Sequence, residues 1–203
     1  MPVSADWLCV GLTGTGGCEG ATAEIAFDYV ASAVGIMEEY ELGYQAYYGS
    51  DSACGVTDEM LPKATITGFS QLPANNYTAL MNSVAQVGPI AISVDASTFH
   101  SYESGIFSGC NQEQPDINHA VVLMGYGEEN GQKYWIVRNS WSASYGEAGY
   151  IRVARSDADE EVCGMDTTPH DGSACDGEDE PVRVCGTCGI LYDSSFPTGI
   201  ALA

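Results

Sequence analysis

A histidine and an asparagine, each next to a short apolar run, are the residues of this sequence best suited to proton transfer. His119 directly precedes the run Ala120–Met124, and Asn139 follows a second run, Tyr134–Val137. An imidazole serves as a general base only when its tautomer and ring plane are fixed, and an asparagine oxygen can accept the imidazole N–H. Trp141, two residues after the asparagine, could cover that hydrogen bond and keep water from competing for it. The pattern indicates a catalytic histidine with an orienting partner.

The alternative is a structural histidine. A single histidine beside an apolar strand is more often structural than catalytic. The triplet Asn139-Ser140-Trp141 and the following run Gly146-Glu147-Ala148-Gly149-Tyr150 favour the catalytic interpretation here.

Two helices are predicted before these residues. Apolar residues recur at helical spacing across residues 21–34, and Gly35 ends that run. Asn76 is a typical helix N-cap and precedes Tyr77–Val87, which Gly88-Pro89 ends. The first part of the chain is therefore predicted to be helical.

The second part is predicted to be a sheet, which makes the fold class α+β. Four short β-branched or aromatic segments bounded by Gly, Asn or Asp are predicted strands: Ile90–Val94, Ala120–Met124, Tyr134–Val137 and Tyr150–Val153. We expect a partial helical domain over residues 1–71 and a β domain over residues 72–203. Ten acidic residues and no Lys or Arg lie in Ser156–Val182, which is typical of a solvated loop inserted in the β domain.

Charge and cysteine content limit the possible partners and compartment. The chain has 28 Asp and Glu against 6 Lys and Arg, a formal net charge of -22, which repels nucleic acids and anionic membranes. Its longest apolar run, Ala120–Met124, is too short to span a bilayer. Eight cysteines indicate an oxidising compartment, a lysosome- or vacuole-like lumen or the secreted space, and the sequon Asn76-Tyr77-Thr78 points weakly the same way.

Several motifs in order together resemble the papain and cathepsin L group of cysteine proteases. They are the stretch from His119 to Val153, Gly17-Cys18-Glu19-Gly20-Ala21 leading into Ala26–Val30, and Cys188–Pro197. The resemblance implies a two-domain papain-like fold, with a helical left domain, a β-barrel right domain and a substrate cleft between them. It also implies that a cysteine thiolate attacks the peptide carbonyl, that His119 passes a proton to the leaving amine, and that Asn139 orients His119 under Trp141.

The departures from the family pattern concern the nucleophile above all. The catalytic Cys, its helix and the oxyanion-hole Gln would lie before Met1, and none of the eight cysteines stands in a matching context. Tyr145 replaces a second Trp, and Ala21 replaces a glycine that admits the substrate backbone. We expect a cysteine endopeptidase whose Cys comes from an upstream or separate segment. The alternative is a catalytically inactive papain-like protein that serves as a structural or binding subunit.

The resemblance also implies substrate contacts and disulfides. Substrate-binding positions are Gly20, Ala21, Ser93, Asn118 and Asp193, the last at the floor of the pocket for the second substrate residue, where a carboxylate would favour Arg or Lys. The implied disulfides are Cys9 with Cys54 and Cys110 with Cys188, and one further pair is expected among Cys163, Cys175 and Cys185. Cys18 would bond a Cys-bearing N-terminal segment or chain that packs on residues 1–71.

Metal binding is the less favoured interpretation of the remaining cysteines and acids. A zinc site could be drawn from Cys163, Cys175, Cys185, Cys188 and His170, but the spacing is irregular and disulfides explain it better. The acids of Asp171–Glu180 lack the alternating pattern of an EF-hand calcium loop. We expect no metal and no cofactor.

Overall fold

The computed structural model describes residues 20–33, 35–50, 52–53, 55–57, 59–170 and 180–202. These residues form two compact units. The first contains residues 20–70 and 197–202, and the second contains residues 71–170 and 180–196. Neither of the α-helices in the described residues is long or apolar enough to cross a bilayer.

The first unit has one helix and a small antiparallel ladder. Helix α1 (Ala23–Ser32) begins where the Thr22 hydroxyl accepts the Ile25 N–H at 3.4 Å, and Val30 is its buried residue. Strand β1 (Ala64–Thr65) pairs with β11 (Ala201–Leu202). The helix lies inside the predicted range 21–34 and is two residues shorter than that range at each end.

Helix α2 (Tyr77–Gln86) belongs to the second unit and confirms the sequence prediction. The Asn76 side-chain oxygen caps it by accepting the Ala79 N–H at 2.8 Å. Leu80 and Val84 are buried, as expected for the apolar face of an amphipathic helix.

Seven strands form the main sheet in the order β2-β10-β3-β5-β6-β7-β4. They are β2 (Gly68–Gln71), β3 (Ile90–Val94), β4 (Ile106–Phe107), β5 (His119–Glu129), β6 (Gln132–Arg138), β7 (Tyr150–Ala154) and β10 (Ser194–Thr198). All four predicted strands are present, and β5 is much longer than predicted. The parallel pairing of β4 with β7 makes the sheet mixed. Together with the helices, this confirms the α+β class.

The core of the second unit packs against the central strands of this sheet. Alternate residues of β3 are buried, and Trp135 and Val137 on β6 have no exposed surface. Strands β5 and β6 pair from Val122↔Arg138 to Glu129↔Gln132, with one irregularity near Leu123. Burial of this kind stabilises a domain by about 25 cal/mol for each square ångström of apolar surface. The start of β5 and the end of β6 are therefore firmly held next to each other.

The prediction of a solvated loop over 156–182 is wrong for part of that range. Strand β8 (Cys163–Asp166) pairs antiparallel with β9 (Val182–Cys185), and Asp159 and Asp166 are buried. The strand β8 could not be predicted from the acidic composition of residues 156–182, because its pairing partner β9 lies almost entirely outside that range. Residues 171–179 lie outside the described part of the chain.

Two disulfides hold the second unit together. Cys110 bonds Cys188, as the resemblance implied, and Cys163 bonds Cys185, which identifies the further pair. Three of the four cysteines of the zinc interpretation are therefore bonded to other sulfurs. The disulfides place the chain in an oxidising compartment, lysosome- or vacuole-like or secreted. Cys9, Cys18, Cys54 and Cys175 lie outside the described residues.

Candidate active site

The ends of two neighbouring strands bring His119 and Asn139 together. His119 is the first residue of β5, and Asn139 directly follows Arg138, the last residue of β6. The Asn139 N–H donates to Gly149 O at 3.0 Å, which fixes the backbone beyond the strand. The distance from His119 Nε2 to Asn139 Oδ1 is 2.9 Å.

The second bond to Asn139 Oδ1 determines which imidazole nitrogen carries the proton. The Ser140 N–H donates to the same oxygen at 2.8 Å, so this atom must be the amide oxygen. An amide oxygen can only accept, and therefore Nε2 of His119 must be protonated. In neutral His119 this leaves Nδ1 as the nitrogen that can accept a proton. That is the arrangement a general base requires.

Trp141 lies over this pair and is itself supported. Its ring centroid is 5.1 Å from that of His119, with the rings tilted by 32°. Tyr145 packs edge-on against Trp141 at 5.3 Å, and its hydroxyl donates to Phe99 O at 3.1 Å. Burial raises the pKa of the Tyr145 phenol, so it remains a neutral donor. Tyr145, noted in the sequence only as a departure from the family, thus holds the covering tryptophan in place.

An ion pair stabilises the loop that carries these aromatic residues. Both oxygens of Glu147 accept from Arg152 at 2.8 Å, and the Gly105 N–H also donates to Glu147 at 2.8 Å. The hydrogen bonds from Arg152 lower the pKa of Glu147, against the opposing effect of burial. Gly146 has φ 48°, and a Cβ there would lie 2.6 Å from Tyr150 O, so glycine is required at this turn.

Two of the expected substrate-binding residues are joined directly. The Ser93 hydroxyl donates to Asp193 Oδ2 at 2.7 Å, and the Gln71 amide donates to Asp193 Oδ1 at 3.4 Å. Ser93 lies opposite Ala120 in the β3–β5 register, one position from His119. The carboxylate of Asp193 is therefore held near the strand that begins with the histidine.

The other three expected substrate-binding residues, Asn118, Gly20 and Ala21, are not part of the Ser93–Asp193 hydrogen bond. Both ends of the Asn118 amide are hydrogen-bonded locally: Oδ1 accepts the Ala96 backbone N–H at 3.1 Å, and Nδ2 donates to the side chains of Ser97 and Asp116. Gly20 and Ala21 lie in the first unit, ahead of α1, and Gly20 has φ 114°.

Sequence reasoning missed Asp166, which supports the segment before His119. Asp166 is 1% exposed, and its Oδ2 accepts the Ile117 N–H at 3.0 Å. The neighbouring Met165 N–H donates to Glu113 O at 3.1 Å, and a Cβ at Gly164 would lie 2.4 Å from Gln112 O. The β8 strand thus packs tightly along the segment that leads to the histidine.

Comparisons with known proteins agree with this geometry. A family model described as papain family cysteine protease matches residues 4–172. The KDEL-tailed cysteine endopeptidase CEP2 of Arabidopsis thaliana is 38% identical over 184 residues, which cover 89% of this chain and 42% of that protein. Cathepsin K of Mus musculus is 38% identical over 142 residues, covering 69% of this chain and 42% of its own length. The chain thus spans about two fifths of these curated relatives.

A solved structure extends the likeness to three dimensions. The bromelain protease from Ananas comosus, in complex with the E64 inhibitor, superposes with a TM-score of 0.73 at 33% identity. The match covers 96% of this chain and 76% of that one. With the family match over most of its length and a hydrogen-bonded His–Asn pair beneath a tryptophan, this chain belongs to the papain family of cysteine proteases.

Proposed function

We propose that this chain supplies the histidine–asparagine half of a cysteine endopeptidase active site. The observation that carries the proposal is the 2.9 Å hydrogen bond between His119 Nε2 and Asn139 Oδ1, with Oδ1 also bound by the Ser140 N–H. In the reaction, His119 Nδ1 takes the proton of a cysteine thiol. The thiolate attacks the peptide carbonyl carbon, and the imidazolium then gives its proton to the departing amine. Water then hydrolyses the resulting thioester with His119 again as the base, which frees the thiol. Asn139 Oδ1 accepts the Nε2–H of both the neutral and the protonated ring and so keeps the ring oriented.

The nucleophile in this proposal comes from an upstream or separate segment. Cys110, Cys163, Cys185 and Cys188 are bonded in disulfides and cannot attack a carbonyl. Val30 is the buried residue of the ten in α1; seven others are partly buried and two are exposed, which leaves room for further packing on that helix. A segment that covers α1 and bonds Cys18 would bring a cysteine to the domain expected over residues 1–71.

Substrate preference in this proposal follows from Asp193. Its two oxygens accept hydrogen bonds from Ser93 and Gln71, and the residue is only partly buried. A fixed carboxylate attracts a cationic side chain and repels an acidic one. We therefore propose that peptides with Arg or Lys at the second position before the cleaved bond are accepted alongside apolar ones. An Asp193→Ala variant should lose the preference for Arg and Lys and keep its rate on apolar peptides.

The test uses the native protein with any chain that accompanies it. An epoxide of the E64 type alkylates a reactive thiolate, and mass spectrometry of the labelled peptide identifies the cysteine. Alongside it, His119→Ala should reduce peptide hydrolysis by at least about 10²–10⁴-fold. His100→Ala is the matched control, because His100 is exposed on a short 3-10 helix and should leave the rate unchanged.

Two results would overturn the proposal. One is an assembled protein that neither reacts with the epoxide nor cleaves peptides. In that case an inactive structural or binding subunit is the better account of the papain-like fold. The other is hydrolysis that is equally fast in the His119→Ala and His100→Ala variants.

A further inference from the structure

The adjacent asparagines Asn75 and Asn76 are both partly buried, and they differ in how much of each amide group is hydrogen-bonded. Both ends of the Asn75 amide are used inside the second unit, since Nδ2 donates to Arg183 O at 2.8 Å and Oδ1 accepts the Cys185 N–H at 2.9 Å. Asn76 uses only its oxygen, which caps α2 through the Ala79 N–H. Among the described residues, none accepts a hydrogen bond from Asn76 Nδ2. The amide nitrogen of Asn76 is therefore the chemically available one.

The two residues after Asn76 are arranged so that the middle one anchors the turn. Tyr77 points inward: its ring packs edge-on against Trp135 at 5.8 Å, and its hydroxyl donates to Asp157 at 3.0 Å. The Tyr77 N–H donates to Glu160 at 2.6 Å. Thr78, in contrast, is exposed on the first turn of the helix. Within Asn76-Tyr77-Thr78, Thr78 is therefore exposed and Asn76 is partly exposed, while Tyr77 holds the segment in place.

We propose that Asn76 Nδ2 carries an N-linked glycan. The sequence Asn76-Tyr77-Thr78 has the acceptor form with no proline in the middle. The disulfides place the chain in an oxidising compartment, and chains that reach one through the secretory pathway meet the glycosylation machinery. In the transfer, the amide nitrogen bonds the anomeric carbon of a lipid-linked oligosaccharide. The bond from that carbon to the pyrophosphate oxygen breaks, and the amide proton leaves to the pyrophosphate.

The finished modification is compatible with the fold. A glycan on Nδ2 leaves Oδ1 free to accept the Ala79 N–H, so the cap of α2 is retained. The backbone at Asn76 is extended, with φ -109° and ψ 98°, so the residue itself lies just outside the helix. The sugar would project from the start of α2 beside the acidic segment that contains Asp157 and Glu160.

The experiment compares sequon variants of the full chain secreted from a eukaryotic host. Thr78→Ala destroys the acceptor sequence and leaves the Asn76 cap intact, whereas Thr78→Ser keeps an acceptor. We expect wild type and Thr78→Ser to lose mass on treatment with peptide-N-glycosidase F, leaving aspartate at position 76. Thr78→Ala should show the bare polypeptide mass at this peptide before and after treatment. Circular dichroism and the intact Cys163–Cys185 disulfide establish that each variant is folded.

The result that overturns the proposal is an unmodified Asn76 peptide in folded, secreted wild-type protein. A glycan retained on the position 76 peptide of Thr78→Ala would overturn it as well. The inference goes beyond the peptidase proposal and stands independently of it, because glycosylation does not require a competent active site. The same mass change is therefore expected in His119→Ala, so that loss of peptidase activity and loss of the glycan are separate observations.

Discussion

Removing the Asp166 carboxylate should loosen the segment that leads to His119. Asp166 is 1% exposed, and its two oxygens accept the Ile117 N–H at 3.0 Å and the Thr168 N–H at 2.8 Å. The bond to Ile117 is buried, so water cannot replace the lost acceptor there. The two variants of interest are Asp166→Ala, which removes both acceptors, and Asp166→Asn, which keeps one.

The expected magnitude follows from these bonds. A hydrogen bond to a charged group contributes about 1.5–3 kcal/mol, and a buried donor left without a partner costs about 1–3 kcal/mol. Asp166→Ala should therefore lower the free energy of unfolding by about 3–5 kcal/mol, and Asp166→Asn by about 1–2 kcal/mol. The stability of a typical domain is about 5–15 kcal/mol, so the alanine variant is close to unfolding.

Urea denaturation measures these free energies of unfolding. It is followed by tryptophan fluorescence, to which the buried Trp135 contributes, and an unchanged slope is the sign of two-state behaviour. Glu161→Gln is the control, because Glu161 is an exposed acid on the same segment and relieves the same net negative charge. Hydrogen exchange of the Ile117 amide gives the local readout and should accelerate in Asp166→Asn. The reasoning would be refuted if the free energies of unfolding of Asp166→Asn and Glu161→Gln differed by less than about 0.5 kcal/mol.

Three further changes test other parts of the second unit. Burial raises the pKa of Asp159 above its unfolded value of about 3.9. The ionised carboxylate therefore destabilises the fold near neutral pH. This penalty fades as the pH falls from the folded pKa to the unfolded pKa. Asp159→Asn should therefore gain stability over wild type in urea denaturation at neutral pH and lose that gain toward pH ~4. Arg152 lowers the pKa of Glu147, so the ionised carboxylate stabilises the fold. Relative to wild type, Glu147→Gln should lower the free energy of unfolding by about 1–2 kcal/mol above pH ~4.3, and by little below the folded pKa of Glu147. Urea denaturation at a series of pH values measures this difference. Replacing Cys163 and Cys185, 22 residues apart, by alanine should cost about 3 kcal/mol in the same assay. Each of these predictions is wrong if the variant has the same free energy of unfolding as wild type at every pH tested.

The parts of this fold that the sequence predicted are those that depend on local pattern. Asn76 directly precedes an apolar helical face, and it caps α2 as expected. His119 and Asn139 each adjoin an apolar run, and the structure places their side chains in contact. Strand alternation and capping are properties of neighbouring residues, so a single sequence reveals them.

The rest depends on contacts between distant residues. Asp159 and Asp166 lie in an acidic stretch and are nevertheless buried, because β8 pairs with β9 across the intervening segment. Ser93 and Asp193 are 100 residues apart in sequence, and only the sheet joins them. Composition describes the average environment of a segment, and it does not show which acidic side chain accepts a hydrogen bond from a buried N–H group.

The most direct test of the account is the protonation state of the two His119 nitrogens. Long-range proton–nitrogen NMR of the imidazole, at a pH where the ring is neutral, distinguishes the two tautomers. We expect a single tautomer with the proton on Nε2, and a mixture of both in Asn139→Ala, because the 2.9 Å bond to Asn139 Oδ1 is what fixes it. A proton on Nδ1, or a spectrum unchanged by Asn139→Ala, would contradict the claim that Asn139 prepares His119 to act as a base.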